Sequence, residues 1–170
     1  MPNDEGRVQI VDAALLRQVG DGAEASPRLR LHHNFHRTLD ENPNRLLNVL
    51  LPGSYITPHR HLHPPKPESF LVLDGLIEFF IFDDDGAVTG RHTLGPLAET
   101  GATALGIDLA PGVWHTLFAA TPRAVCYEVK PGPYSPIDDK EFAPWAPREG
   151  DDGAAAYMEK LLAGELDPTP

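Results

Sequence analysis

The chain has 170 residues, 41% of them hydrophobic, and a formal net charge of −11. That length is most simply one domain with enough apolar mass for a substantial core, and the acidity leaves no basic stripe for nucleic-acid phosphate or an anionic membrane surface. The single Cys126 excludes an intrachain disulfide, and no apolar run approaches the roughly 20 residues needed to cross a bilayer. The polar opening, residues 1–7, lacks the charged-then-apolar pattern of a signal peptide, so a cytoplasmic location is expected. Eighteen prolines and fifteen glycines favour short strands and many turns over long helices.

In chain order, Asp12 is placed to cap a short helix in which Leu15, Leu16 and Val19 recur at helical spacing before Gly20 ends it. Residues 26–36 carry His32, His33 and His36 and read as a surface strand with solvated or hydrogen-bonded rings. The competing reading lays this segment over a pocket mouth, where Asn34 and His36 meet a substrate. From Arg45 on, short apolar runs alternate with turn residues, as in an antiparallel sandwich or barrel, with strands at 45–51, 68–73, 76–82, 87–94, 102–109, 113–117 and 124–130. Asp74-Gly75 is a hairpin signal, and Pro111-Gly112 is a second place where the chain turns back. The run Asp83-Asp84-Asp85-Gly86 is a turn and lacks the alternating ligand spacing of an EF-hand.

Residues 131–150 are too proline-rich for regular structure, and Tyr134, Phe142 and Trp145 give them apolar surface with which to wrap the barrel. Asp151 or Asp152 can cap a terminal helix whose stripe is Ala154, Tyr157, Met158, Leu161 and Leu162, ended by Gly164. That stripe packs on this subunit or on another, which points to a homodimer.

On an extended strand, side chains two apart share a face, so His59 and His61 present two imidazoles to one side. Glu68 shares the parity of Phe70 and Val72 and points inward with them. A charged group aimed at a core needs a partner, and a divalent cation is a natural one. His115, just past Pro111-Gly112, is a third imidazole that meets the first two only across a folded sheet. His63 is a rival ligand, although Pro64-Pro65 after it place it beyond the strand. Arg60, between two inward histidines, points away and suits a salt bridge. Tyr55, Glu128, Tyr127 and His36 are the pocket candidates for catalysis, and Cys126 is expected to be buried and inert. Three imidazoles and one carboxylate suit a single divalent transition metal per chain: Fe, Mn, Ni, Co or Zn.

Gly53-x5-His59-x-His61-x6-Glu68-x6-Gly75 resembles the first signature motif of the cupin superfamily of double-stranded β-helix barrels, and Gly106 with Pro111-Gly112-x2-His115 resembles the second. Two departures stand out. The motif usually has three or four residues between the second histidine and the glutamate, so 62–67 must bulge here; and Ala119 stands where an asparagine often closes the second motif. A closer likeness runs through His32-His33-Asn34-x-His36, Arg45-Leu-Leu-Asn48, Pro52-Gly-Ser-Tyr55, Gly112-Val-Trp-His115, Glu128-Val-Lys130-x-Gly-Pro-Tyr134 and Phe142-Ala-Pro-Trp145. These segments resemble the WbuC family of cupin-fold metalloproteins over nearly the whole chain.

The resemblance implies an all-β fold, a double-stranded β-helix (cupin or jelly-roll barrel) with short N- and C-terminal helices. It divides into 1–44, a helix and histidine-containing extension packed on the barrel; 45–130, the barrel; and 131–170, a proline-rich wrap and helix. The family is associated with gene clusters for bacterial surface polysaccharide. The resemblance therefore implies a small metalloenzyme, an isomerase, lyase or dioxygenase, acting at a His3Glu site on a sugar, a nucleotide-sugar or another small polar molecule. A metal-dependent binding or sensor module without turnover is the alternative, since fold does not fix function. A metal-free epimerase-type barrel is disfavoured because such barrels lack this ligand set.

Overall fold

The computed structural model describes residues 8–135 and 139–166; the polar opening 1–7 and tail positions 136–138 lie outside the described residues. In chain order the strands are β1 (Arg30–Asn34), β2 (Asn44–Leu50), β3 (His59–Arg60), β4 (Glu68–Asp74), β5 (Ile77–Phe82), β6 (Val88–Leu94), β7 (Gly106–Leu109), β8 (Trp114–Ala119), β9 (Ala124–Lys130) and β10 (Glu141–Phe142). They form two antiparallel sheets of five, in the orders β1-β2-β9-β4-β7 and β10-β3-β8-β5-β6. Period-two alternation gives each sheet an inner face, and Phe70, Val72, Phe79, Leu117 and Cys126 meet between them in one apolar cluster.

The outer faces are covered too. Helix α1 (Ala13–Ala25) lays Val19 and Ala23 on Leu47, Val49 and Val125 of the first sheet. Helix α2 (Ala154–Ala163) and the preceding tail cover Phe80, Phe82, Trp114 and Phe118 of the second. This explains why β8 is buried at every position, His115 and Thr116 included. Each fully buried Phe or Leu contributes on the order of 1.5–3 kcal/mol.

Asp12 caps α1 as its sequence predicts, accepting from the Ala14 and Leu15 amides at 3.0 and 2.9 Å. The helix does not stop at Gly20. It continues to Ala25, and Gly22 lets it approach β1 closely: a Cβ there would come within 2.5 Å of Leu31 Cδ2.

Two expected turn-backs are instead crossings between sheets. β4 pairs with β7 and β9 whereas β5 pairs with β6 and β8, so Asp74-Gly75 carries the chain from one sheet to the other, and Pro111-Gly112 does the same between β7 and β8. Gly75 has φ +69°, and a Cβ there would lie 2.1 Å from Arg123 O, so only glycine fits this crossing. The aspartate run is a true hairpin between β5 and β6, with Asp83 Oδ1 accepting from the Asp85 and Ala87 amides at 3.0 and 2.9 Å. The strand expected from 102 begins only at Gly106, because the Thr103 and Ala104 amides bond Thr93 O on β6 instead of β4.

The tail is also more regular than its prolines suggest, since β10 adds to β3 at the sheet edge. Neither Asp151 nor Asp152 caps α2: Gly153 is the N-cap, and Asp151 Oδ2 accepts from the Arg148 amide at 2.8 Å. Gly164, at φ +75°, ends the helix in the left-handed conformation. The stripe of α2 packs on Tyr55, Phe80 and Phe118 of its own chain. It is thus covered internally, which removes the reason for expecting a homodimer. No helix among the described residues is long and apolar enough to cross a membrane.

Candidate metal centre

Three strands and one loop deliver the four side chains singled out by the motif. His59 on β3 lies directly opposite His115 on β8. His61 follows two residues later on the same face, and Glu68 opens β4 on the opposing sheet. The inner faces of both sheets therefore bring the four together, with His59, His61, Glu68 and His115 only 2%, 3%, 3% and 1% exposed.

Their donor atoms all lie within 4.8 Å of one another. Glu68 Oε2 is 3.1 Å from His115 Nε2 and 3.2 Å from His61 Nε2, yet none of the three atoms has a hydrogen-bond partner among the described residues. Buried polar atoms left unpaired are costly. A divalent ion bound at about 2.0–2.2 Å from each donor holds neighbouring donors roughly 3 Å apart, which matches these separations. The residues present fit a transition-metal ion.

The rings are prepared for that role. His59 Nδ1 donates to Thr57 O and His115 Nδ1 to Val113 O, each at 3.0 Å, and His61 Nδ1 donates to the carbonyl of Asp139. Fixing the proton on Nδ1 turns the Nε2 lone pairs toward the centre. Burial, then Lys140 and His115, hold His59 well below the ordinary histidine range, so its ring is neutral. Burial alone would raise the Glu68 carboxyl, but His115, His61 and Lys130 outweigh it and hold the group well below the usual carboxylate range.

The long spacer between His61 and Glu68 does bulge, and the Lys66 amide closes it back on His61 O at 3.3 Å. The bulge turns His63 out into solvent, away from the cluster, and turns Lys66 inward. Lys66 Nζ donates to Asp139 Oδ1 and to Pro133 O, each at 2.6 Å. Lys130 Nζ stands 3.2 Å from Asp139, 3.3 Å from Glu128 and 3.6 Å from Glu68. Sequence reasoning missed this ionic layer; the extra spacer residues and the shared parity of Glu128 and Lys130 on β9 are the signals that could have found it.

A cavity of about 540 Å³ opens beside the cluster, with His59 and Glu68 on its wall. The segment read first as a surface strand is the edge strand β1 and the turn after it, and His32, Asn34 and His36 also lie on the cavity wall. Glu128 is there as well, with Asn48 Nδ2 donating to its Oε2 at 2.5 Å and with burial, then Glu68, pushing its carboxyl up. Tyr55 is not. It packs under α2, stacked on Phe118, and its hydroxyl donates to Pro147 O at 2.7 Å. Tyr127 also faces away, against Phe35 below α1, because odd positions of β9 point out of the barrel. Arg60 points outward to Glu141 and Asp84 at 2.9 Å and lies over Trp114. Cys126 is wholly buried, and burial pushes its thiol up.

The family model described as a domain of unknown function, DUF6016, matches residues 11–94, a span that holds His59, His61 and Glu68 but not His115. No curated protein matches the chain. Among solved structures, the chain is similar to the capsular polysaccharide assembling protein CapF from Staphylococcus aureus (20% identity, TM-score 0.51), over 65% of this chain and 28% of CapF. The chain thus spans less than a third of that protein's length. A protein of Shewanella oneidensis is similar over 82% of this chain and 87% of its own (14% identity, TM-score 0.52). A protein of Thermus thermophilus is similar over 73% and 97% (17% identity, TM-score 0.52). Facing antiparallel sheets of this topology, with the signature side chains gathered on their inner faces, give the chain the double-stranded β-helix fold of the cupin superfamily.

Proposed function

We propose that the chain is a mononuclear metalloenzyme in which His59, His61, Glu68 and His115 hold one divalent transition ion and the adjoining cavity takes a sugar, a nucleotide-sugar or another small polar molecule. The observation that carries this reading is the set of three buried donor atoms, without partners among the described residues, at ion-centred spacing beside a cavity of about 540 Å³. An ion bound there supplies Lewis-acid polarisation of an oxygen or activation of water or dioxygen, chemistry that isomerases, lyases and dioxygenases share.

The chain's own groups contribute the rest. Glu128, raised by burial and by Glu68, is suited to hold or release a proton in the cavity, and Asn48 orients it. His36 Nδ1 lies 3.1 Å from both the amide and the carbonyl of Arg45, which holds its ring in place on the cavity wall. The WbuC resemblance supports a carbohydrate substrate linked to surface polysaccharide, and the fold shared with CapF is in keeping with it.

Metal analysis of protein purified without an affinity tag tests the centre, with one ion per chain expected. Separate reloading with Fe(II), Mn(II), Ni(II) and Zn(II), followed by a turnover screen on sugars and nucleotide-sugars, tests the enzyme reading. Ligand binding without turnover for every ion would favour the sensor alternative. Protein that takes up none of the four ions would overturn both.

A further inference from the structure

The cavity concentrates basic groups in an acidic protein. Arg28, Arg30, Lys130 and Lys140 line it, four of the fourteen lysines and arginines in a chain of net charge −11. Their pairings differ. Arg28 and Arg30 share Glu149 at 2.7 Å each, and Lys130 is surrounded by Asp139, Glu128 and Glu68. Lys140, half-buried, makes no ion pair or hydrogen bond among the described residues.

Among the described residues, charge around the centre is balanced only while no ion is counted. The carboxylates of Glu68, Glu128 and Asp139 are matched in number by the ammonium groups of Lys66, Lys130 and Lys140. A divalent ion then adds two positive charges for which this set has no carboxylate, and buried charge without a partner is costly. The same wall carries Asn44, 1% exposed, whose Nδ2 and Oδ1 both lack a partner among the described residues. A ligand that brings negative charge and several oxygen atoms relieves both deficits.

On the reading that the four side chains hold an ion, we propose that the cavity takes a small oxyanion, a carboxylate or phosphate carried by a hydroxyl-rich molecule, with its acid group seated on Lys140. Burial and the neighbouring Lys130 depress the Lys140 ammonium, a penalty that an anionic partner reverses. The cavity volume falls within the range of roughly 300–1,000 Å³ usual for small-molecule sites, and charge-assisted contacts there are stronger than neutral ones.

The test is isothermal titration of the full chain, loaded with Mn(II) and assayed for metal on the same samples, with glucose, glucuronate and glucose 6-phosphate. At least one acidic probe is expected to bind about tenfold or more tightly than glucose, and the carboxylate and phosphate arms identify which oxyanion is preferred. Lys140→Met should abolish that margin without loss of metal, and Lys140→Arg should keep it. Equal binding of glucose, an unchanged margin in Lys140→Met, or no binding of either acid at millimolar concentration overturns the inference. Loaded protein with no acid preference removes this inference alone, whereas protein that retains no ion removes the metal centre beneath it as well.

Discussion

His59 and His115 face each other across the β3–β8 ladder with ring centroids 4.5 Å apart, and each donates Nδ1–H to the carbonyl two residues before it, Thr57 O or Val113 O. The same local backbone geometry thus orients two imidazoles from strands more than fifty residues apart in the chain. Phe79 stacks flat on His115, 5.7 Å between centroids and 8° between planes, and locks that ring from the core side.

His61 is the third ring and belongs to none of the apolar clusters. His61→Ala should therefore reduce bound metal to background while leaving a folded barrel, checked by metal analysis and circular dichroism. Mn(II) at about 100 times its Kd should raise the unfolding free energy of the unmodified chain by about 2.7 kcal/mol, and that gain should vanish in the variant. Full metal occupancy in His61→Ala would show that the ligand set was wrongly chosen.

Lys66 and Asp139, 4% and 3% exposed, tie the spacer bulge to the tail behind His61. Removing one partner of a buried pair leaves the other uncompensated, at about 3 kcal/mol. Lys66→Met should cost about that much in urea unfolding. Because Lys66 holds Asp139, whose carbonyl accepts from His61 Nδ1, it should also weaken metal binding by up to about 10-fold, the low end of the cost of losing an outer partner itself. Unchanged metal affinity would confine Lys66 to a purely structural role.

Glu149 gives a pH-dependent signature. Burial by itself would raise its carboxyl, but hydrogen bonds from Arg28 and Arg30 bring it from 4.5 to about 2. A carboxylate depressed on folding adds stability that is present above its unfolded value and is lost as pH falls through the folded one. The loss should occur between about pH 4.5 and 2, and Glu149→Gln should show a smaller fall in that window by chemical denaturation. The group is partly exposed, so the difference should not exceed about 1 kcal/mol. Parallel profiles for the two proteins would sink this assignment.

Local rules carried far along this chain. Two-residue periodicity is a covalent property of extended backbone, so the common face of His59 and His61, the inward parity of Glu68 and the outward course of Arg60 were legible before any fold was known. The Asp12 cap and the Gly164 stop were legible for the same reason, since each depends on residues within one turn.

The tertiary structure alone decided which strands became neighbours. Asp74-Gly75 looks like a hairpin because a turn signal reports only that the chain reverses, not that it returns to the same sheet. Parity likewise says that two residues share a face, not what covers it: Tyr127 faces α1, Tyr55 faces α2, and His32 to His36 border the cavity. The ionic layer of Lys66, Lys130 and Asp139 depends on a spacer loop, a strand and a tail meeting at one point. Periodicity acts over a few residues, whereas such a meeting is set by how two sheets close on a shared core.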